Sequence, residues 1–173
     1  MFDPTAFDNL KTVLEGAVYD LDLEGEIVVI DRHDLVDLAH FSRTYTITFC
    51  LASDHTPHVS CTIRLEMDLE QIAKELLRQT IRPGCTLSIT FSLPIRQTAA
   101  CLHIERVLRQ VWGEERTIRQ TLSHEFLHET PSYRNEATIE FGRLIYEDNV
   151  ADLEEMIPYM IASLEQLQKF SDK

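Results

Sequence analysis

The sequence predicts an α+β fold: a mostly antiparallel sheet of five to six strands, with N-terminal, middle and C-terminal helices packed on one face. Three observations carry that prediction. Apolar residues alternate with period two in three separate runs, around 44–51, 59–67 and 85–94. Helical spacing takes over at both ends of the chain and once in the middle. The strands are grouped between helices and do not alternate with them one by one, which is the order of an antiparallel sheet backed by helices. At 173 residues, 44% apolar and 26% charged, residues 1–173 suit a single globular domain with a sizeable core.

The first element is a helix. Asp3 can cap it, Pro4 suits its first turn, and Phe7, Leu10, Val13, Leu14, Ala17 and Val18 recur at helical spacing. "EIVVID" (26–31) reads as a strand. "HDLVDLAHF" (33–41) has no clean period and suits a turn of helix or an irregular connection. In "TYTITFCLA", Tyr45, Ile47, Phe49 and Leu51 share one face, and Thr44, Thr46, Thr48 and Cys50 the other. After the turn "SDHTP", Val59, Cys61, Ile63, Leu65 and Met67 line one face opposite His58, Ser60, Thr62, Arg64 and Glu66. The pair predicts a hairpin with one buried side.

Asp68 followed by Gln71 makes a capping box for a middle helix with the stripe Leu69, Ile72, Ala73, Leu76, Leu77 and Ile81, ended by Pro83-Gly84. "CTLSITFSLP" alternates again, with Leu87, Ile89, Phe91 and Leu93 inward. The stretch from Cys101 to Phe126 is ambiguous. A Gly113-centred turn and its Thr, Val and Ile content favour a second hairpin, although Ile104, Val107, Leu108 and Val111 would also suit a helix. The last element is a helix whose seam is Val150, Leu153, Ile157, Met160, Leu164 and Leu167. Pro158 inside it lacks an N–H for the Glu154 carbonyl, so a kink or a fresh helix start is expected there.

Composition narrows the function classes. The longest apolar stretches are strand-sized, so no membrane span is expected. The acidic start "MFDPTAFDNL" has no basic leader segment, and cytoplasmic residence is the expectation. Cys50, Cys61, Cys85 and Cys101 are widely and irregularly spaced, as reduced core thiols would be. A formal charge of −13 argues against nucleic acid as a partner. The charge is uneven: residues 78–119 carry seven Arg against three Glu, about +4, leaving about −17 elsewhere. Self-pairing with the acidic helices accounts for this; an anion- or acidic-peptide-binding patch including Arg106, Arg116 and Arg119 is the sharper reading.

One string suggests chemistry. His124-Glu125-Phe126-Leu127-His128 has the HExxH form of zinc peptidases, in which two histidines on one helical face hold Zn²⁺ and the glutamate acts as base. Local sequence opposes it. Pro131 would end the helix almost at the second ligand. On a helix, Ile118, Leu122 and Phe126 would mark the buried stripe and leave both histidines near the opposite side. On a strand, His124 and His128 would stand about 13 Å apart. Glu136, Glu140 and Glu147 could supply a third ligand, but an acidic chain always offers one. His55, His58 and Cys61 have ligand-like spacing too, yet alternation sends His58 and Cys61 to opposite faces. There is no glycine-rich phosphate loop. The sequence therefore assigns no catalytic residue, no cofactor and no metal ligand, with a zinc hydrolase of His124, His128 and Glu125 as the alternative.

The hydroxyls opposite the predicted core, among them Thr46, Thr48 and Thr62, either face solvent or form a surface that can hydrogen-bond to an added chain. The terminal stretch bears on that choice. Leu144-x-Tyr146, Asn149-Val150-Ala151, Met156, Pro158 and Ala162 resemble the end of the YbjN-type sensory-transduction-regulator family. "GEERTIRQTL" (113–122) and "VYDLDLEGEIVVID" (18–31) are similar to earlier segments of it. The resemblance covers about a third of the chain, with one extra residue between Tyr146 and Asn149. It implies a fold like that of type III secretion chaperones, small acidic dimer-forming proteins that hold partner polypeptides, and implies no catalytic residue. The expectation is a non-enzymatic, chaperone-like or regulatory module for a protein partner, with a homodimer as one form. Contact is expected through the hydroxyl face, the arginine patch or the terminal helix at Ile157 and Met160. A weaker third idea is an acidic decoy of nucleic acid.

Overall fold

Residues 5–54, 59–77, 81–126 and 132–171 are described by a computed structural model. Helix α1 (Thr5–Glu24) buries Phe7, Leu10, Leu14 and Val18, the stripe expected of it. The expected cap at Asp3 and Pro4 lies outside the described residues. Strands β1 (Ile27–Asp37), β2 (Ser42–Leu51) and β3 (Ser60–Met67) follow as an antiparallel meander. Tyr45, Ile47 and Phe49 of β2 and Cys61, Ile63, Leu65 and Met67 of β3 are buried, as their alternation predicts.

The region 33–41 is not helical. β1 runs on to Asp37, whose carboxylate accepts the backbone N–H groups of Ala39 (2.8 Å) and His40 (3.1 Å) and so sets the turn into β2. A bulge between Val29 and Asp31 breaks the period of β1, which is why the sequence shows none there.

Helix α2 (Leu69–Leu76) is capped by Asp68, whose Oδ1 accepts the Gln71 N–H at 3.0 Å. The second half of the expected capping box does not form: the buried Gln71 side chain accepts the Gly84 N–H instead, at 3.2 Å. Nor does the expected apolar stripe go inward as a whole. Ile72 is buried, whereas Leu69, Leu76, Leu77 and Ile81 are exposed.

Strand β4 (Cys85–Ile95) leads into the largest departure from expectation. Residues 100–112 are not half of a hairpin but helix α3 (Ala100–Trp112), burying Ile104 and Leu108. Gly113 ends it with φ +91°, its N–H on the Arg109 carbonyl at 2.9 Å. Strands β5 (Thr117–His124) and β6 (Tyr133–Ile145) complete one six-stranded sheet in the order β1-β2-β3-β4-β6-β5. β4 and β5 are each antiparallel to β6, so they run parallel to one another on either side of it. Parallel strands cannot be joined by a tight turn and need a crossover, which α3 supplies.

A 3-10 turn, Glu147–Asn149, is held by the Asn149 side chain accepting the Tyr146 N–H at 3.0 Å and starts α4 (Val150–Ser171). Tyr146 also packs over Gly84, where a Cβ would lie 2.9 Å from its ring. Helix α4 continues through Pro158, with no fresh start. The proline is exposed, so the Glu154 carbonyl freed by it can turn to water.

α4 lies between α1 and α3, and the three helices cover one face of the sheet around a shared core. Trp112 reaches across that layer, its Nε1–H donating to Ser163 Oγ at 2.9 Å. Cys50, Cys61 and Cys85 are buried and Cys101 partly so, all as free thiols. Among the described residues no helix is long and apolar enough to cross a membrane.

A candidate partner-binding face

Because each strand exposes alternate residues to opposite sides, burying Ile47, Ile63, Ile89 and Ile139 under the helices sends their neighbours to the uncovered face. The strand register arranges those neighbours in rows. Asp31, Thr48, Thr62, Thr90, Thr138 and Arg119 are successive partners across all six strands. At strand spacing, that row spans about 24 Å. Its hydroxyls are paired: Thr48 with Thr62 and Thr90 with Thr138, both at 2.9 Å. The next row is His33, Thr46, Arg64, Ser88, Glu140 and Thr117. A hydroxyl both donates and accepts on a short side chain, so the four central threonines of the first row can meet an incoming polypeptide's amides without a long side chain among them.

Charge borders the hydroxyls. Arg64 lays its guanidinium on Glu66, with Nη2 2.7 Å from Oε2. Arg119 pairs with Glu140 at 2.8 Å, and Arg134 donates to Ser92 at 2.9 Å. At the β1 edge His33 Nε2 lies 3.0 Å from Asp31 Oδ2.

Of the residues singled out from sequence, Thr46, Thr48, Thr62 and Arg119 share this face. Arg106 does not: it is exposed on α3, on the helical side of the sheet. Arg116 lies against the Phe141 ring, 5.0 Å from its centroid. The three arginines therefore do not form one surface: Arg106 is on α3, Arg116 precedes β5, and only Arg119 lies in that strand on the uncovered face. Ile157 and Met160 are 6% and 1% exposed; they are core residues under α4 and not contacts for a partner in this fold.

His124 closes strand β5 and is not on a helix. Its ring meets Tyr133 edge-on at 5.4 Å. His128 lies outside the described residues. Glu140 stands opposite Thr117, seven residues up β5 from His124, about 23 Å away along the strand. Glu147 lies beyond the far end of β6. Among the described residues no three His, Cys, Asp or Glu side chains converge where an ion could be held.

Sequence reasoning missed one feature, a groove of about 810 Å³ where the uncovered face ends. Thr44 and Arg64 are among its lining, with Leu35 and Ser42 contributed from the β1–β2 end and Asp68, Leu69 and Glu70 from the start of α2. Its signal was present in the unassigned Leu35 and in the capping residue Asp68, but nothing local said that β1 and α2 would approach one another.

No family model, curated protein or solved structure matches the chain.

Proposed function

We propose that this protein is a non-enzymatic binding module, chaperone-like or regulatory, that takes up a polypeptide partner on the uncovered face of its sheet. The observation that carries the reading is the row of four consecutive threonines, Thr48, Thr62, Thr90 and Thr138, at the centre of a face that no helix covers among the described residues. Side chains this short leave the sheet approachable, and the charged residues lie around them. The family-like terminus, Leu144 to Ala162, points the same way, toward proteins that hold other polypeptides.

The test is a photo-crosslinking amino acid placed at Thr90 and, for comparison, at Glu155 on the outer side of α4. Irradiation in cells should give a discrete, protease-sensitive adduct from the Thr90 position and none from Glu155. Absence of any polypeptide adduct at Thr90, with the protein folded, would remove the proposal. Sedimentation of the purified chain separates a homodimer from a complex with another protein.

A further inference from the structure

The groove at the end of the uncovered face combines apolar walls left open to water with a rim in which four carboxylates outnumber one arginine. Leu35 and Leu69 are 56% and 53% exposed. They belong to elements far apart in sequence, yet both line this one groove. Leu76 lies one heptad after Leu69 on the same side of α2 and is 59% exposed, so the apolar surface continues along the helix. Isolated leucines on a surface need no explanation, but leucines facing one concavity do.

The rim is acidic. Asp37, Glu66, Asp68 and Glu70 line the groove, and the side chains of Asp37, Glu66 and Glu70 are 47%, 33% and 72% exposed. The Asp37 carboxyl is held below the usual range by hydrogen bonds from the His40 ring and from the backbone of His40 and Ala39. A hydrogen bond from Lys74 does the same for Glu70. Arg64 is turned onto Glu66, and the His40 ring lies 2.9 Å from Asp37, so both of these lining side chains are already engaged.

We infer that this groove docks a segment of a partner protein in which large apolar side chains are flanked by lysine or arginine. This deepens the binding reading above and rests on it. Charge selects the occupant. A second copy of a chain carrying −13 is repelled overall, its arginine excess in 78–119 notwithstanding, and an acidic peptide would be repelled by the rim itself. A basic amphipathic segment places its apolar side chains between Leu35 and Leu69 and its cations against the rim carboxylates. Its remainder can continue over the threonine rows.

Fluorescence anisotropy tests this with two labelled probes: a leucine–lysine peptide patterned as an amphipathic helix, and the same peptide with glutamate at every lysine. The lysine peptide should bind the wild-type chain and the control L102S equally, Leu102 being 70% exposed on α3, remote from the groove. Binding to L35S/L69S should be at least roughly tenfold weaker, from the lost apolar contacts of two leucines. In E66Q/E70Q it should weaken several-fold and lose much of its salt dependence. The glutamate peptide should not bind. Equal binding of both peptides, no binding of either, or L35S/L69S that binds as wild type would each overturn the inference. So would a dimer of the chain alone that L35S/L69S dissociates. An adduct at Thr90 alongside an unaffected L35S/L69S sinks the groove alone; loss of both sinks the binding reading as well.

Discussion

Arg43 offers the sharpest test of how α1 is fastened to the edge of the sheet. Its side chain is 11% exposed, with Nη1 3.0 Å from Asp8 Oδ1. Nε and Nη2 donate to the two carboxylate oxygens of Asp34, each at 3.1 Å. The guanidinium also lies over the Phe7 ring, 4.8 Å from its centroid. Burial pushes the Asp34 carboxyl up, but hydrogen bonds from Arg43 and Lys11 outweigh it and hold the group below its ordinary value. Arg43→Ala leaves Asp34 with Lys11, 2.7 Å away, and removes the fork between two carboxylates. An exposed pair is worth up to about 1 kcal/mol and a broken buried one about 3–5. This half-buried pair falls between them at about 2 kcal/mol, and the lost contact with Phe7 adds about 1. A total near 3 kcal/mol lowers the melting temperature of a chain this size by about 6–12 °C.

Urea unfolding followed by circular dichroism measures the change, and a cycle with Asp34→Asn should give a coupling of at least about 1 kcal/mol. The pH dependence has a definite sign. Asp34 has a depressed folded-state pKa, so its contribution is present above the unfolded value and disappears as pH falls through the folded one. The stability difference between wild type and D34N should therefore hold from neutrality down to about pH 5 and shrink below about pH 4. A loss under about 0.5 kcal/mol in R43A, or strict additivity in the cycle, would refute the reasoning.

Four further outcomes are expected. Ile104→Ala or Leu108→Ala should cost about 2–5 kcal/mol by urea unfolding while Leu102→Ala costs almost nothing, a pattern that a hairpin at 100–112 would not produce. Gly84→Ala forces a Cβ to within 2.9 Å of the Tyr146 ring; it should cost about 1–3 kcal/mol, reduced when Tyr146→Ala is made with it. Replacing Thr48 and Thr62 together by valine removes both members of a hydrogen-bonded pair and should change stability by less than about 1 kcal/mol, so any lost partner binding would not reflect unfolding. Burial, with the nearby Glu75, Asp68 and Glu147 carboxylates, pushes the Cys85 thiol up to about 12. Its contribution is complete below the unfolded pKa and lost as pH rises toward 12; Cys85→Ala should therefore flatten the fall in stability on the alkaline side, as measured by denaturant midpoint against pH.

Residues that alternate under a continuous helical cover were legible in the sequence: Tyr45, Ile47, Phe49 and Leu51, then Cys61 to Met67 and Leu87 to Leu93, are buried as their period predicts, although Cys50 of the opposite set is buried too. Residues at the margins of the cover were not. β1 is paired on one side only, and its second half carries Arg32 and Asp34 to α1 where apolar residues would be expected. α2 sits at the end of the sheet with little above it, so an apparently complete apolar stripe buries Ile72 and leaves Leu69 and Leu76 outside. In α3 the β-branched content competed with a helical spacing of equal strength, and local sequence had no means of choosing. The arginines were legible as charge but not as a surface, since Arg106 and Arg119 end on opposite sides of the sheet.

The amino-acid order alone determined the class of fold, the strands that form its middle and the face each of them buries, because side-chain alternation is a local property of an extended backbone. Tertiary structure decided the rest. Joining β4 to a strand parallel to it, with β6 laid between them, required a crossover, and that requirement makes 100–112 a helix. Bringing Leu35 and Leu69 to one groove likewise depended on how β1 and α2 meet at the end of the sheet, which no window of sequence contains.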